Sequence, residues 1–321
     1  MGESKRRTLA LGEGGVTRRP LHTFSIVARD AHTGELGVAV QSHWFSVGSV
    51  VSWAAAGVGA IATQSFINVS FGPRGLDLLR AGLSAPQVVS ALIASDEAPH
   101  MRQLAVVDVH GRVAAHTGER CIAAAGHIVG EGFSVQANMM LNERVWPAMA
   151  GAFRTAAGPL AERLVAALKA GQEAGGDIRG QQSAALLVVR GQPSGRPWED
   201  RLVDLRVDDA PEPIRELERL LRAQRAYERM NEGDAAMERD DVPAALAAYS
   251  AAEAMCPENL EMRYWHAVAL ANTGRMDEAL PVFAAVFAGD DNWRELTRRL
   301  PPAGLLRVGA GDLERILSVR L

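Results

Sequence analysis

TFSIVARD (23–30) and ELGVAVQS (35–42), joined by the short stretch AHTG (31–34), decide the fold of the first two thirds of the chain. Each run has the length of a strand, and the Gly-containing connection suits a β-hairpin. Both runs are almost wholly small or apolar, with no regular alternation of charge. A sheet built from them is therefore covered on both faces.

Beyond the hairpin, GAIATQS (59–65) reads as a third strand. Residues 75–83 and 85–95 repeat Leu, Val and Ile at helical spacing, with Gly82 and Pro86 at the turn between them. A second hairpin spans 103–109 and 112–117 around His110-Gly111, and 132–139 (GFSVQANM) is a further strand. Helical patterns at 145–155 and 159–170 end at Gly175-Gly176, and strands at 183–190 and 201–207 follow. Strand clusters punctuated by helix pairs do not fit a doubly wound βαβ repeat. They fit two antiparallel sheets packed face to face with helices outside, an α+β four-layer αββα sandwich. The Gly-rich stretches 57–59, 72–75 and 126–132 match no phosphate-cradling spacing and are expected to be tight turns or pocket-shaping loops.

DDAPEP (208–213) marks a boundary, and Pro211 is suited to open a helix running from Ile214 to about Met230. After it a period appears. Ala245 and Ala279, Leu246 and Leu280, Tyr249 and Phe283, and Ala252 and Val286 are each 34 residues apart. That period, with small residues where helices cross, is the signature of tetratricopeptide (TPR) repeats. Residues 293–299 and 312–321 are the expected capping helices, because a repeat does not bury its inner face alone. The expected organisation is a basic leader over 1–22, a sandwich domain over 23–225 and a small all-α TPR-like domain over 226–321.

Composition narrows the function classes. A formal charge of −4 offers no basic surface of the kind a nucleic-acid binder needs. Residues 226–321 hold ten Arg and Lys against sixteen Asp and Glu, and the leader holds five basic residues against two acidic. Cys121 and Cys256 form no ligand pair, and His100, His110, His116 and His127 show no metal spacing, so neither metal nor cofactor is expected. Two unpaired cysteines and ten methionines suit a reducing cytoplasm. No run approaches the roughly 20 apolar residues of a membrane span. The leader lacks a secretory apolar core and is expected to be disordered or to reflect an early start codon.

The stretches TFSIVARDAHTGELGVAVQSHWFSVGSVV, GVGAIATQSFINVSFGPRGLDLLRAGLSA, RQLAVVDVHGRVAAHTGERC and GHIVGEGFSVQANMM resemble the domain of unknown function 1028 family. PLAERLVAAL, QSAALLVV and RLVDLRVDD extend the likeness in order across 23–225. The resemblance implies an Ntn-hydrolase-like αββα fold, which the strand order suggests independently. In Ntn hydrolases an N-terminal Thr, Ser or Cys on the first strand is the nucleophile, and its own α-amine is the base. Thr23 holds that position in the strand order. It follows 22 residues here, so its α-nitrogen acts as a base only if the chain is cut between His22 and Thr23.

The resemblance and the strand ends together nominate the candidate site. Thr23 is the candidate nucleophile, or a β-favouring residue that opens a strand, and Ser25 shares its face. At the end of the second strand, Gln41 and Ser42 are candidate substrate-binding residues, and His43 is either a candidate acid or base, since imidazole titrates near neutrality, or a surface histidine beside Trp44 and Phe45. Gln64 and Ser65 end the third strand, Gln64 as an orienting or oxyanion group, or else a buried amide satisfying loop backbone, and Ser65 as a substrate contact. Gln136 and Asn138 alternate with apolar residues and point one way. They read either as oxyanion donors or as a structural pair of buried amides. His116 and His127 read either as flanking the site or as solvated or satisfied histidines, while Trp265, His266 and Trp293 either line a peptide groove or pack the helix pairs.

Three functional readings follow. The first is an Ntn-type hydrolase of a small amide or ureido compound, with Thr23 attacking. The second is a non-catalytic Ntn-fold module that binds a ligand or protein while the TPR-like segment recruits a partner or self-associates. The third keeps hydrolysis and gives the acid–base role to His43. No nucleic-acid or membrane partner is expected, and a homo-oligomer is.

Overall fold

The computed structural model describes residues 23–321. They form two compact units divided after Glu218. The expected leader lies outside the described residues.

In the first unit, β1 (Thr23–Arg29) and β2 (Leu36–Ser42) make the antiparallel hairpin. The Asp30 carboxylate closes its turn by accepting from the backbone N–H groups of His32 (2.9 Å) and Thr33 (2.8 Å), and Gly34 takes φ +75°. A one-turn helix α1 (Gly48–Val51) leads to β3 (Ser52–Ala55) and β4 (Gly59–Ser65), then to α2 (Phe71–Arg80) and α3 (Ala85–Ala94). Next come β5 (Arg102–Asp108), β6 (Val113–Thr117), β7 (Gly126–Gly130) and β8 (Phe133–Asn138). Helices α4 (Val145–Thr155) and α5 (Leu160–Glu173) precede β9 (Ser183–Val189) and β10 (Arg201–Val207).

The strands form two antiparallel sheets, six-stranded in the order β10-β9-β2-β1-β8-β7 and four-stranded in the order β3-β4-β5-β6. Between the sheets, Val27, Val38 and Val40 pack with Ala60, Ala62, Ala105 and Val107. On the far side of the smaller sheet, Ile61, Leu104 and Val106 meet Leu76, Val88 and Leu92 of α2 and α3. Helices α4 and α5 cover the outer side of the larger sheet. The order of layers is thus α, β, β, α. Strands β1, β2, β4, β5, β8 and β9 are buried from both sides, which explains their near-continuous apolar runs.

Two local expectations change. The stretch 72–75 is helix rather than turn, because Gly72 lets α2 lie against the Trp53 ring and Gly75 lets it lie against Ile61. Packing overrides the low helix propensity of glycine here. The stretch 126–132 contains the edge strand β7, paired with β8.

In the second unit, α6 (Pro213–Glu238) crosses the division and is followed by α7 (Val242–Met255), α8 (Leu260–Asn272), α9 (Met276–Gly289), α10 (Asn292–Arg299) and α11 (Ala310–Ser318). The division after Glu218 and the boundary expected at 225/226 both fall within α6. That helix outruns its expected end because Gly233 inside it receives the Tyr249 ring, 2.6 Å from where a Cβ would stand. Ala245, Tyr249 and Ala252 share one core with their 34-residue partners Ala279, Phe283 and Val286. Asp241 and Asn259 cap α7 and α8, accepting from the N–H groups of Ala244 (3.2 Å) and Glu261 (2.9 Å).

Candidate functional site between the sheets

Pairing register sorts the polar residues of the strands. Thr23 pairs with Ser42 on one side and Asn138 on the other, and Ser25 pairs with Val40 and Gln136. Direct partners in antiparallel strands project to the same face. Val27 and Val40 belong to the inter-sheet core, so Thr23, Ser25, Ser42, Ser134, Gln136 and Asn138 project between the sheets. From the smaller sheet, Gln64 and Gln103 pair with each other and share parity with Ala62 and Ala105. All eight polar residues are fully buried.

A continuous hydrogen-bond network joins them. Ser25 Oγ donates to Gln64 Oε1 (2.7 Å) and accepts from Gln136 Nε2 (2.6 Å), whose Oε1 accepts from Ser134 Oγ (3.0 Å). Gln64 Nε2 donates to Gln103 Oε1 (2.7 Å) and to the carbonyl of Thr23 (3.2 Å). Asn138 Nδ2 also donates to Gln103 Oε1 (2.9 Å) and approaches the Thr23 carbonyl at 3.4 Å. Gln103 Nε2 donates to Thr117 Oγ1 (2.9 Å) and the Ala137 carbonyl (2.9 Å). Thr23 Oγ1 lies 3.3 Å from Ser42 Oγ. Among the described residues, the Oδ1 of Asn138 is buried without a partner.

The cluster contains no ionisable side chain. His127 is tied to it through Thr117, whose Oγ1 lies 2.8 Å from Nδ1. Burial, reinforced by the nearby His116, pushes the His127 pKa down and favours the neutral ring. Cys121 lies at this end of the sandwich, with Sγ 3.4 Å from the Arg102 carbonyl. Burial raises its pKa and disfavours the nucleophilic thiolate. Two strands end here on left-handed backbone: Ser65 follows Gln64 with φ +68°, and Met139 follows Asn138 with φ +57°. Non-glycine residues in that region carry strain and persist only where their surroundings enforce it. Behind them the buried pair Arg102–Asp96 (2.9 Å) braces the end of β4, with Arg102 also donating to the Phe66 carbonyl.

The structure brings together Thr23, Ser42, Gln64, Gln136 and Asn138. Gln41 pairs with Phe24 and faces the helix layer, where both its side-chain polar atoms are buried without partners. Ser65 lies on the opposite parity from Gln64, beside Arg102. His43 stands just beyond β2, its backbone N–H donating to Asp177 (3.2 Å), and it lines a separate cavity with Gln182 and Asp209. Gln103 was not singled out from the sequence, yet it connects Gln64, Asn138 and Thr117. Its signal was the same as that of Gln136: an amide with the parity of small apolar neighbours, Ala105 and Val107.

Among the described residues, no group of three His, Cys, Asp or Glu is arranged to hold a metal, and no helix is long and apolar enough to cross a membrane. Thr23 opens the central strand of a four-layer αββα sandwich, the arrangement of the Ntn-hydrolase-like fold class, and a TPR-type helical unit follows it. The family of unknown function DUF1028 matches residues 23–217, more than half of the chain, and the chain belongs to that family. A tetratricopeptide repeat family matches residues 230–292. Among solved structures, a DUF1028 protein from Silicibacter pomeroyi is similar, with 33% identity and a TM-score of 0.56. The likeness covers 63% of this chain and 84% of that one. Comparison with curated proteins gives no match.

Proposed function

We propose that the sandwich, taken as 23–225, is an Ntn-type hydrolase of a small amide or ureido compound, with Thr23 as nucleophile once its α-amine is free. The observation that carries this reading is the neutrality of the cluster around Thr23. A threonine hydroxyl needs a base to attack a carbonyl. The network offers amides and hydroxyls, none of which is a base near neutral pH. A free Thr23 amine would supply the missing function within the same residue. The unpartnered Oδ1 of Asn138, beside Thr23 in register, would accept from that amine or from a substrate N–H.

The test compares three proteins: the full chain, a chain that begins at Thr23, and the latter carrying Thr23→Ala. Mass spectrometry fixes each N-terminus, and a panel of small amides and ureido compounds is assayed for hydrolysis. Turnover is expected only from the chain that begins at Thr23. Hydrolysis by the full chain with its N-terminus intact, or by the Thr23→Ala protein, would sink the proposal.

A second reading is favoured by the bonding of the amides. Gln64 and Gln103 each commit both amide hydrogens within the network, which is how a structural buried amide behaves. The sandwich would then be a binding module, and 226–321 would recruit its partner. Thr23→Ala would leave partner capture intact, whereas Phe283→Ala in the repeat core would abolish it.

A further inference from the structure

The helical unit carries a second, half-open cavity of about 510 Å³, within the size range of natural ligand sites. Helix α6 lines it with Tyr227, Asp234 and Glu238, and α8 with Glu261 and Trp265. A further wall is the segment that carries Arg307, held by Asn272. The Asn272 Oδ1 accepts from the Arg307 N–H (2.7 Å), and its Nδ2 donates to the Leu305 carbonyl (2.9 Å).

Three carboxylates line this cavity against one guanidinium. Several other acids of the unit are matched with bases, as in Glu253–His266, Glu278–Arg275 and Glu295–Arg298. Among the described residues, Asp234, Glu238 and Glu261 have no cationic partner. Two of them are held by phenols instead: Tyr249 donates to Asp234 (2.6 Å) and Tyr227 to Glu261 (2.6 Å). A phenol orients a carboxylate without neutralising it. The cavity thus combines fixed negative charge with aromatic rings and an apolar floor that includes Met230 and Val268. Lys and Arg side chains match that combination, because an apolar stem carries a charged head that also favours ring faces. The exposed Asn231 amide, also in the lining, has no bond among the described residues and is open to a peptide backbone.

We propose that this cavity binds a basic peptide segment of a partner protein, seating a Lys or Arg side chain against Tyr227 and Trp265 and among the carboxylates of Asp234, Glu238 and Glu261. The proposal is independent of whether the sandwich hydrolyses anything. It concerns the sign of the ligand, which a repeat fold alone does not dictate.

The test is fluorescence anisotropy on the full chain with a labelled hexapeptide of alternating leucine and arginine, and with its leucine–glutamate counterpart. The arginine peptide is expected to bind, and added salt to weaken it. Asp234→Asn with Glu261→Gln keeps an acceptor for each tyrosine and should lower affinity about tenfold. Glu238→Gln alone, at an exposed position, serves if the double variant loses its helical circular dichroism. Arg307→Ala removes the opposing charge and should tighten binding about two- to fivefold. Equal binding of the glutamate peptide, affinity unmoved by the charge variants, or weaker binding in Arg307→Ala would overturn the proposal. Displacement of the peptide by spermidine at equal concentration would also overturn it, pointing to a small polyamine instead.

Discussion

Replacing Gln64 with alanine tests whether the inter-sheet amides hold the sandwich together. The substitution removes the acceptor of the Ser25 hydroxyl, which has no other acceptor in the network. Leaving a buried donor unsatisfied costs about 1–3 kcal/mol. Gln103 Oε1 keeps a bond from Asn138, so its loss is the smaller one of an ordinary hydrogen bond, about 1 kcal/mol. The vacated volume lies between two closely packed sheets that relax little, which adds about 1–2 kcal/mol. The total is about 4 kcal/mol, or about a thousandfold in the opening equilibrium. Hydrogen exchange followed by mass spectrometry on peptides covering β1 and β8 reads that factor directly. Gln64→Glu sharpens the test, because the new carboxylate keeps the shape but faces the carbonyl oxygens of Thr23 and Gln103. A buried carboxyl among acceptors has its folded pKa raised above the unfolded value near 4.3. This variant should therefore approach wild-type stability at acid pH and lose stability as pH rises through the window above about 4. Acceleration below about tenfold in Gln64→Ala, or a Gln64→Glu protein whose deficit is the same at every pH, would refute the assigned network.

Further outcomes follow from the packing and the charges. Arg102→Ala strands the buried Asp96 carboxylate and should cost about 3–5 kcal/mol, read as a lower urea midpoint. In wild type, burial pushes the Asp96 pKa up, but bonds from Asn68, the Ala98 N–H and Arg102 outweigh it and hold the carboxyl below its ordinary value. The stability this contributes is complete above about pH 4 and fades as pH falls further, so an acid titration of the urea midpoint should turn down only there. All three tyrosines, Tyr227, Tyr249 and Tyr264, lie in the helical unit, so phenolate absorbance reports on that unit alone. The bond to Glu261 raises Tyr227, burial with Asp234 raises Tyr249, and burial pushes Tyr264 up to about 12. The folded protein should therefore show little phenolate at pH 10, where unfolded tyrosine is half ionised, and should lose helix as pH climbs towards 12. Gly59→Ala places a methyl group 2.6 Å from the Val107 carbonyl oxygen, a backbone atom with little room to move, and should cost about 1–3 kcal/mol by thermal melting.

The layers and the repeats were legible because they leave periodic traces. Strand-length apolar runs, helix pairs between them and a 34-residue spacing each follow from how much of an element is buried. The site was legible only in part, and parity explains why. In LGVAVQS, Val38, Val40 and Ser42 face the other sheet, while Gly37, Ala39 and Gln41 face the helices. Both faces are buried, so the alternation of large and small residues does not say which one carries the site. Gln41 and Ser42 therefore looked equivalent until pairing with Phe24 and Thr23 separated them. Gln103 was missed for a related reason. Its importance comes from lying opposite Gln64 across two strands 39 residues apart, a register no local pattern encodes. Helix α2 begins earlier than its sequence suggests because two glycines serve packing against Trp53 and Ile61, a tertiary demand that propensity reads as a turn.

The neutrality of the network also limits the chemistry open to Thr23. A carboxylate or an ammonium side chain among the amides would be costly to desolvate without a partner, and none is present. Under the proposed hydrolase reading, a base confined to the N-terminus of β1 would avoid that cost in the uncut chain, because a peptide nitrogen carries no charge and needs no counter-ion. In a chain that begins at Thr23 there is a free α-amine, a group that titrates near pH 8 in water. Transfer into this uncharged, buried setting favours its neutral, basic form and moves that midpoint down. The rate of a chain that begins at Thr23 should therefore rise with pH along a single limb centred below about 8, and the limb should persist in His43→Ala. A limb that disappears in His43→Ala would move the acid–base role to the imidazole beyond β2. The inter-sheet cluster would then be scaffolding for a site on the other side of that strand end.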